Sequence, residues 1–153
     1  MTTREEPAVG ELYAMAVEMA DRVSARRGQA NQFYLTLQTL LLGVPALFGA
    51  VSDGGAIDPL RGCLLAVVGA IVSITWWLQL RSYRDLNKAK FVVINKIEED
   101  HFTVRPFSAE WEALKTDNVP FWKGRYAELG AVERIVPWIF LVVNVLLAIM
   151  VWR

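Results

Sequence analysis

The sequence predicts an all-α integral membrane protein of three transmembrane helices with helical cytoplasmic extensions. Three observations carry this. The apolar residues are gathered rather than dispersed: Phe33–Val51 and Gly62–Leu80 are each 19 residues without a charged side chain, and Ile135–Trp152 is an 18-residue third. At about 1.5 Å per helical residue each reaches about 27–29 Å, close to the ~30 Å hydrocarbon layer of a bilayer. The composition agrees, with 54% hydrophobic and only 21% charged residues in a chain of 153, above the apolar share of ordinary soluble domains. Finally, Lys and Arg collect at one end of each stretch. A buried helix of a soluble protein this size is usually shorter and carries charge on its outer face.

Taken in order, residues 1–32 read as a cytoplasmic amphipathic helix. Pro7 suits a first helical turn, and Leu12, Met15, Met19 and Val23 recur at spacings of three and four, a stripe expected to pack on this chain or on a neighbouring subunit. The opening residues are mixed and acidic, so no cleavable signal is expected and the first span, 33–51, acts as an uncleaved anchor. The arm should run straight into that span, since Gly28 is the only nearby breaker and costs only about 1 kcal/mol in a helix. Residues 52–61 (SDGGAIDPLR) are rich in Gly, Asp and Pro and read as an external loop. The second span, 62–80, ends in Trp76, Trp77 and Gln79, as an interfacial aromatic belt would. Residues 81–134 read as a cytoplasmic helical stalk, with Leu86, Lys90, Val93 and Ile97 near one face, followed by an aromatic segment. In that segment Ser108 suits a capped short helix between Pro106 and Pro120, and Phe102, Phe107, Trp111, Phe121, Trp122 and Tyr126 need burial. Residues 135–153 form the last span and an external C-terminus.

Orientation follows from the basic residues. Arg22, Arg26 and Arg27 precede the first span; Arg81, Arg84, Lys88 and Lys90 follow the second; Lys123, Arg125 and Arg134 precede the third. The positive-inside rule then places the N-terminus in the cytoplasm and residues 52–61 outside.

Several function classes are disfavoured. Sixteen basic residues balance sixteen acidic ones, which argues against nucleic-acid binding by bulk attraction. One Cys and one His supply neither a CxxC pair nor a metal-ligand set. No GxGxxG, P-loop or GxSxG pattern occurs, so neither an enzyme nor a cofactor is expected. Glu98, Glu99, Asp100 and His101 are adjacent, but neighbours at i and i+1 do not face one another on a helix. They read as a solvated helix end, or as the place where the stalk stops or meets a partner charge, because acidic residues oppose the dipole at a helix C-terminus.

The candidate sites are therefore those of a membrane assembly. Gln38, Thr39, Gln79 and Asn144 are uncharged polar residues within or beside the spans, suited either to line a pore or to bond helix to helix. The lack of any ionisable residue between the span ends argues against coupled transport. Gly62, Ala66 and Ala70, with Gly69 and Ser73 repeating beside them, form small-residue stripes for close helix packing. Arg26, Arg27, Arg81, Arg84, Lys88 and Lys90 could hold anionic lipid headgroups, although topology alone accounts for them equally well.

Four segments carry a family resemblance: RRGQANQFYLTLQTLLLG at 26–43, WWLQLRSYRDLNKAKFVVINKIEE at 76–99, RPFSAEWEAL at 105–114 and RYAELGAVERIVPWIF at 125–140. Together they resemble the RipA family of octameric bacterial membrane proteins, most distinctly in Ser82–Ile94 and Val132–Pro137. A looser similarity links the chain to the two-span membrane effector domains called SLATT, which form pores. The resemblance implies a homo-oligomeric ring, eight-fold by family, in the bacterial inner membrane. Its partners would be membrane lipids, copies of itself and unidentified proteins, with no nucleic acid. The function expected on this basis is assembly or scaffolding with a cytoplasmic docking region; the alternative is an oligomeric pore or channel.

Overall fold

The computed structural model describes residues 8–51, 58–116 and 125–152; the side chains of 44–51, 111, 114–116 and 125–131 lie outside the description. The described residues form four α-helices and no strand: α1 (Val9–Val51), α2 (Pro59–His101), α3 (Pro106–Thr116) and α4 (Arg125–Trp152).

Local chemistry fixes the starts. The first turn of α1 closes on the Ala8 carbonyl, which accepts Glu11 N–H at 2.8 Å and Leu12 N–H at 3.1 Å. Asp58 caps α2, its carbonyl accepting Gly62 N–H at 3.0 Å, and Pro59 occupies the first helical position, where its missing N–H costs nothing. Pro106 does the same for α3, with Ala109 N–H bonded to the Arg105 carbonyl at 2.9 Å. In α4 Pro137 lies inside the helix and is buried.

The arm and the first apolar stretch are one helix. With 43 residues each, α1 and α2 measure about 65 Å, roughly twice the hydrocarbon thickness. Two segments among the described residues are long and apolar enough to cross a membrane, one within α2 and one at Val132–Trp152. Only 28% and 11% of them is buried within the chain, unlike the core helix of a soluble protein. Phe33–Val51 is not among these segments, and its side chains from residue 44 onward lie outside the description.

The chain divides into two compact units, Met1–Arg27 with Ser82–Lys123 and Gly28–Arg81 with Gly124–Arg153. In the first, Ala20, Val23, Ile94 and Glu98 are buried. Tyr13 packs on Phe102 at a centroid distance of 5.0 Å, and Phe91 meets Phe107 edge-on at 5.9 Å. The faces packed within the chain are not the most apolar stripes. Of Leu12, Met15, Met19 and Val23 only Val23 is buried, the others being 42%, 53% and 48% exposed. The alanine at 20 and the ring at Tyr13 take the inward positions instead. On α2 the inward line is Phe91, Ile94 and Glu98, while Leu86 and Val93 are exposed. One residue of a helix is 100°, so adjacent stripes compete for the core; the stripe carrying Tyr13 and the one carrying Glu98 prevail because they bond each other.

In the second unit Ala66, Ser73, Trp76 and Leu80 of α2 are buried, and Gly69 and Ser73 meet Gln38 of α1 while Gly69 also faces Asn144 of α4. Trp76 is turned into the chain rather than outward. It is 2% exposed, stacks on Tyr34 at 5.8 Å and 10°, meets Phe140 at 6.0 Å, and donates its indole N–H to Asn31 Oδ1 at 2.8 Å. Asn31→Ala is expected to leave that buried N–H without an acceptor and to cost about 1–2 kcal/mol, read as a lower unfolding temperature in detergent with altered tryptophan emission. An unchanged temperature would show that the bond is immaterial.

Candidate functional site

Two buried polar clusters organise the molecule, one in each unit. Within the membrane-side unit, Gln38 and Asn144 are 0% and 1% exposed. Gln38 Nε2 donates to the Gly69 carbonyl at 2.8 Å and to Ser73 Oγ at 2.6 Å, and Ser73 Oγ donates to the same carbonyl at 2.9 Å. Asn144 Nδ2 donates to Gln38 Oε1 at 3.3 Å and to the Phe140 carbonyl of its own helix at 2.7 Å. Both amide N–H bonds of each side chain are thereby used. Asn144 Oδ1 accepts nothing and lies against Gly69, where only a missing Cβ leaves room. Three helices are thus joined by side chains that would otherwise face hydrocarbon with their polarity unmet.

This arrangement bears on the pore residues. Gln38 and Asn144 meet inside one subunit and are spent on each other. Thr39 donates to the Leu35 carbonyl of its own helix at 2.8 Å, and Gln79 is half-buried. Of the small-residue stripe, Ala66 is buried while Gly62 and Ala70 are half-buried; the closest approach is at Gly69. At the C-terminal end of the α2 apolar run the exposed Arg81 lies over the Trp77 ring at 5.9 Å, and Trp77 meets Trp138 edge-on at 5.9 Å. Arg26, Arg84 and Lys88 are exposed, and Arg27 and Lys90 half-buried.

In the other unit the centre is Glu98. It is not solvated; it is 0% exposed. Tyr13 Oη donates to its Oε1 at 2.8 Å, Phe107 N–H to Oε1 at 3.1 Å, and Ser108 N–H and Oγ to Oε2 at 3.1 and 2.9 Å. The carboxylate thus caps α3, satisfying the N–H groups that the first turn leaves free and sitting at the positive end of its dipole. Burial pushes the Glu98 carboxyl upward, but the hydrogen bonds from Phe107, Tyr13 and Ser108 outweigh it and hold it below the ordinary carboxylate value. Burial first, and then the bond to the Glu98 charge, push the Tyr13 phenol up to about 12. A carboxylate engaged by four donors is a clasp rather than a base. Sequence reasoning missed it because its partners are 85 and 10 positions away; the Pro-Phe-Ser helix start was the one visible sign. Of the six rings in the aromatic segment, Phe102 and Phe107 pack beside this clasp, whereas Trp111, Phe121, Trp122 and Tyr126 lie outside the described side chains.

The profile of the octameric membrane protein family (8xMP) matches residues 10–152, nearly the whole chain. The chain belongs to this family. Both buried clusters, from Tyr13 to Asn144, fall inside the matched range. Membership in the octameric membrane protein family implies embedding in a membrane and association with copies of itself. No curated protein and no solved structure matches the chain.

Proposed function

We propose that this member of the octameric membrane protein family is a scaffold of the bacterial inner membrane. Eight copies form a ring, each crossing the bilayer three times, with the N-terminus and residues 81–134 in the cytoplasm as a platform for partner proteins. The observation that carries this proposal is the length of α1 and α2. Helices of 43 residues extend beyond the bilayer by about its own thickness, and the clasp at Glu98 holds α3 against them. The mutual bonding of Gln38 and Asn144 within one chain supports a scaffold over a conduit between subunits.

Imaging and native mass measurement of the detergent-solubilised protein test the assembly, and ion flux through reconstituted liposomes tests the alternative. A closed particle that passes no ions is expected; ion flux altered by substitution of Gln38 or Asn144 would make it a channel. Topology is testable separately in a Cys63→Ser background. An Asp53→Cys variant should react with an impermeant thiol reagent on intact cells, and a Lys96→Cys variant should react only after lysis. The reverse pattern would invert the orientation.

A further inference from the structure

Among the described residues, two apolar stripes outside the membrane segments have no partner within the chain. On α1, Leu12, Met15 and Met19 are about half exposed; on α2, Leu86 and Val93, with exposed Ala89 between them, are 47% and 54% exposed. Lipid does not reach the first stripe. Met19, its nearest member, precedes Phe33 by 14 residues, about 21 Å of helix, whereas the headgroup layers add only about 5–8 Å per side. Val93 lies about 20 Å beyond Leu80 by the same rise. Contiguous apolar surface in water marks an interface.

Symmetry decides what covers it. Copies of one membrane protein insert with one orientation, set by their basic residues. Two-fold axes lying in the membrane plane are therefore excluded, and a closed assembly turns about the membrane normal alone. Beyond a dimer, such a ring has no self-complementary contacts: each joins two unlike patches of the same chain, one given and one received. Among the described residues the two stripes named above can serve as such a pair. They also lie at matching levels. Tyr13 bonds Glu98, and α1 and α2 run antiparallel there, so Val93, five residues before Glu98, is level with residue 18, one residue short of Met19.

We infer that the Leu12–Met15–Met19 stripe of one subunit packs against the Leu86–Ala89–Val93 stripe of the next, forming the cytoplasmic seam of the ring. This rests on the self-association proposed above and adds which surfaces meet and in what sense. The seam is head to tail, so every subunit uses both stripes.

Cysteine cross-linking in native membranes tests it, in the Cys63→Ser background. Met19→Cys and Val93→Cys are made as separate variants with different tags, both at exposed positions where cysteine fits. Co-expressed, the two should form a mixed dimer on addition of a short bismaleimide; expressed alone, neither should form a dimer. Homodimers of either single variant at the yield of the mixed pair would overturn the head-to-tail seam. So would absence of any cross-link when native mass shows a multi-copy particle. A monomeric native mass would overturn the seam and the self-association beneath it together, which separates the two failures.

Discussion

Glu98→Ala is expected to free α3 and to lower the stability of the unit that holds it by about 3 kcal/mol, since it leaves two amide donors and a phenol without their acceptor. The readout is hydrogen exchange. Protection of the Phe107, Ser108 and Ala109 amides should collapse, while that of Ile94 and its neighbours on α2 changes far less. Glu98→Gln keeps an acceptor oxygen and should cost about half as much, because charge-assisted bonds are the stronger kind. The pH dependence has a definite sign on each limb. The Glu98 carboxyl is held below its ordinary value in the folded chain, so its contribution is present above the unfolded value of about 4.3 and is lost as pH falls through the folded one. The Tyr13 phenol is raised to about 12, so its contribution is complete below an unfolded value of about 10 and is lost as pH rises toward the folded one. Protection of α3 should therefore be flat across neutrality and fall at both extremes. Tyr13→Phe should abolish the alkaline limb and spare the acidic one. A fall in protection near neutral pH would contradict the clasp as described.

The second large effect concerns Gly69. A Cβ placed there would collide with Asn144 Oδ1 and stand 2.6 Å from its Cγ, and Asn144 cannot swing aside without giving up Gln38 and the Phe140 carbonyl. Gly69→Ala should destabilise the membrane-side unit by about 2–3 kcal/mol, the range for overpacking a tight interior, and should appear as a lower unfolding temperature in detergent. Asn144→Ala alone should cost about 1–2 kcal/mol by leaving Gln38 Oε1 without its donor. The two substitutions together should cost less than their sum, because removing the amide makes room for the methyl group. Strict additivity in that cycle would show that Gly69 and Asn144 do not compete for the same space.

What the sequence makes legible and what it hides divide along a physical line. The uninterrupted run of α1 through Gly28 and the existence of a short helix after Pro106 are decided by residues within a turn or two, and the sequence displays them, although α2 begins at Pro59, inside the stretch read as a loop. The apolar runs of α2 and α4 stand out for the same reason. The inward face of each long helix is not decided locally. Leu12, Met15 and Met19 form the more apolar stripe, yet Tyr13 and Ala20 point inward, because a phenol that finds a buried carboxylate and an alanine that permits close approach outweigh thioether surface in this setting. Trp76 looks outward-facing until Asn31 and Tyr34 supply an acceptor and a stacking face from another helix. Glu98 looks solvated until a helix N-terminus arrives eight residues later. In each case the deciding partner is remote in sequence, and one-dimensional pattern carries no trace of it.

The borrowed cap on α3 also sets an order of events. Eleven residues are too few to hold a helix in water unaided, and the groups that steady this one, Tyr13 and Glu98, belong to segments synthesised before it. The short helix can settle only once its two long predecessors have found each other. It therefore reports their pairing during biogenesis, and under stress it should be the earliest piece of its unit to unravel.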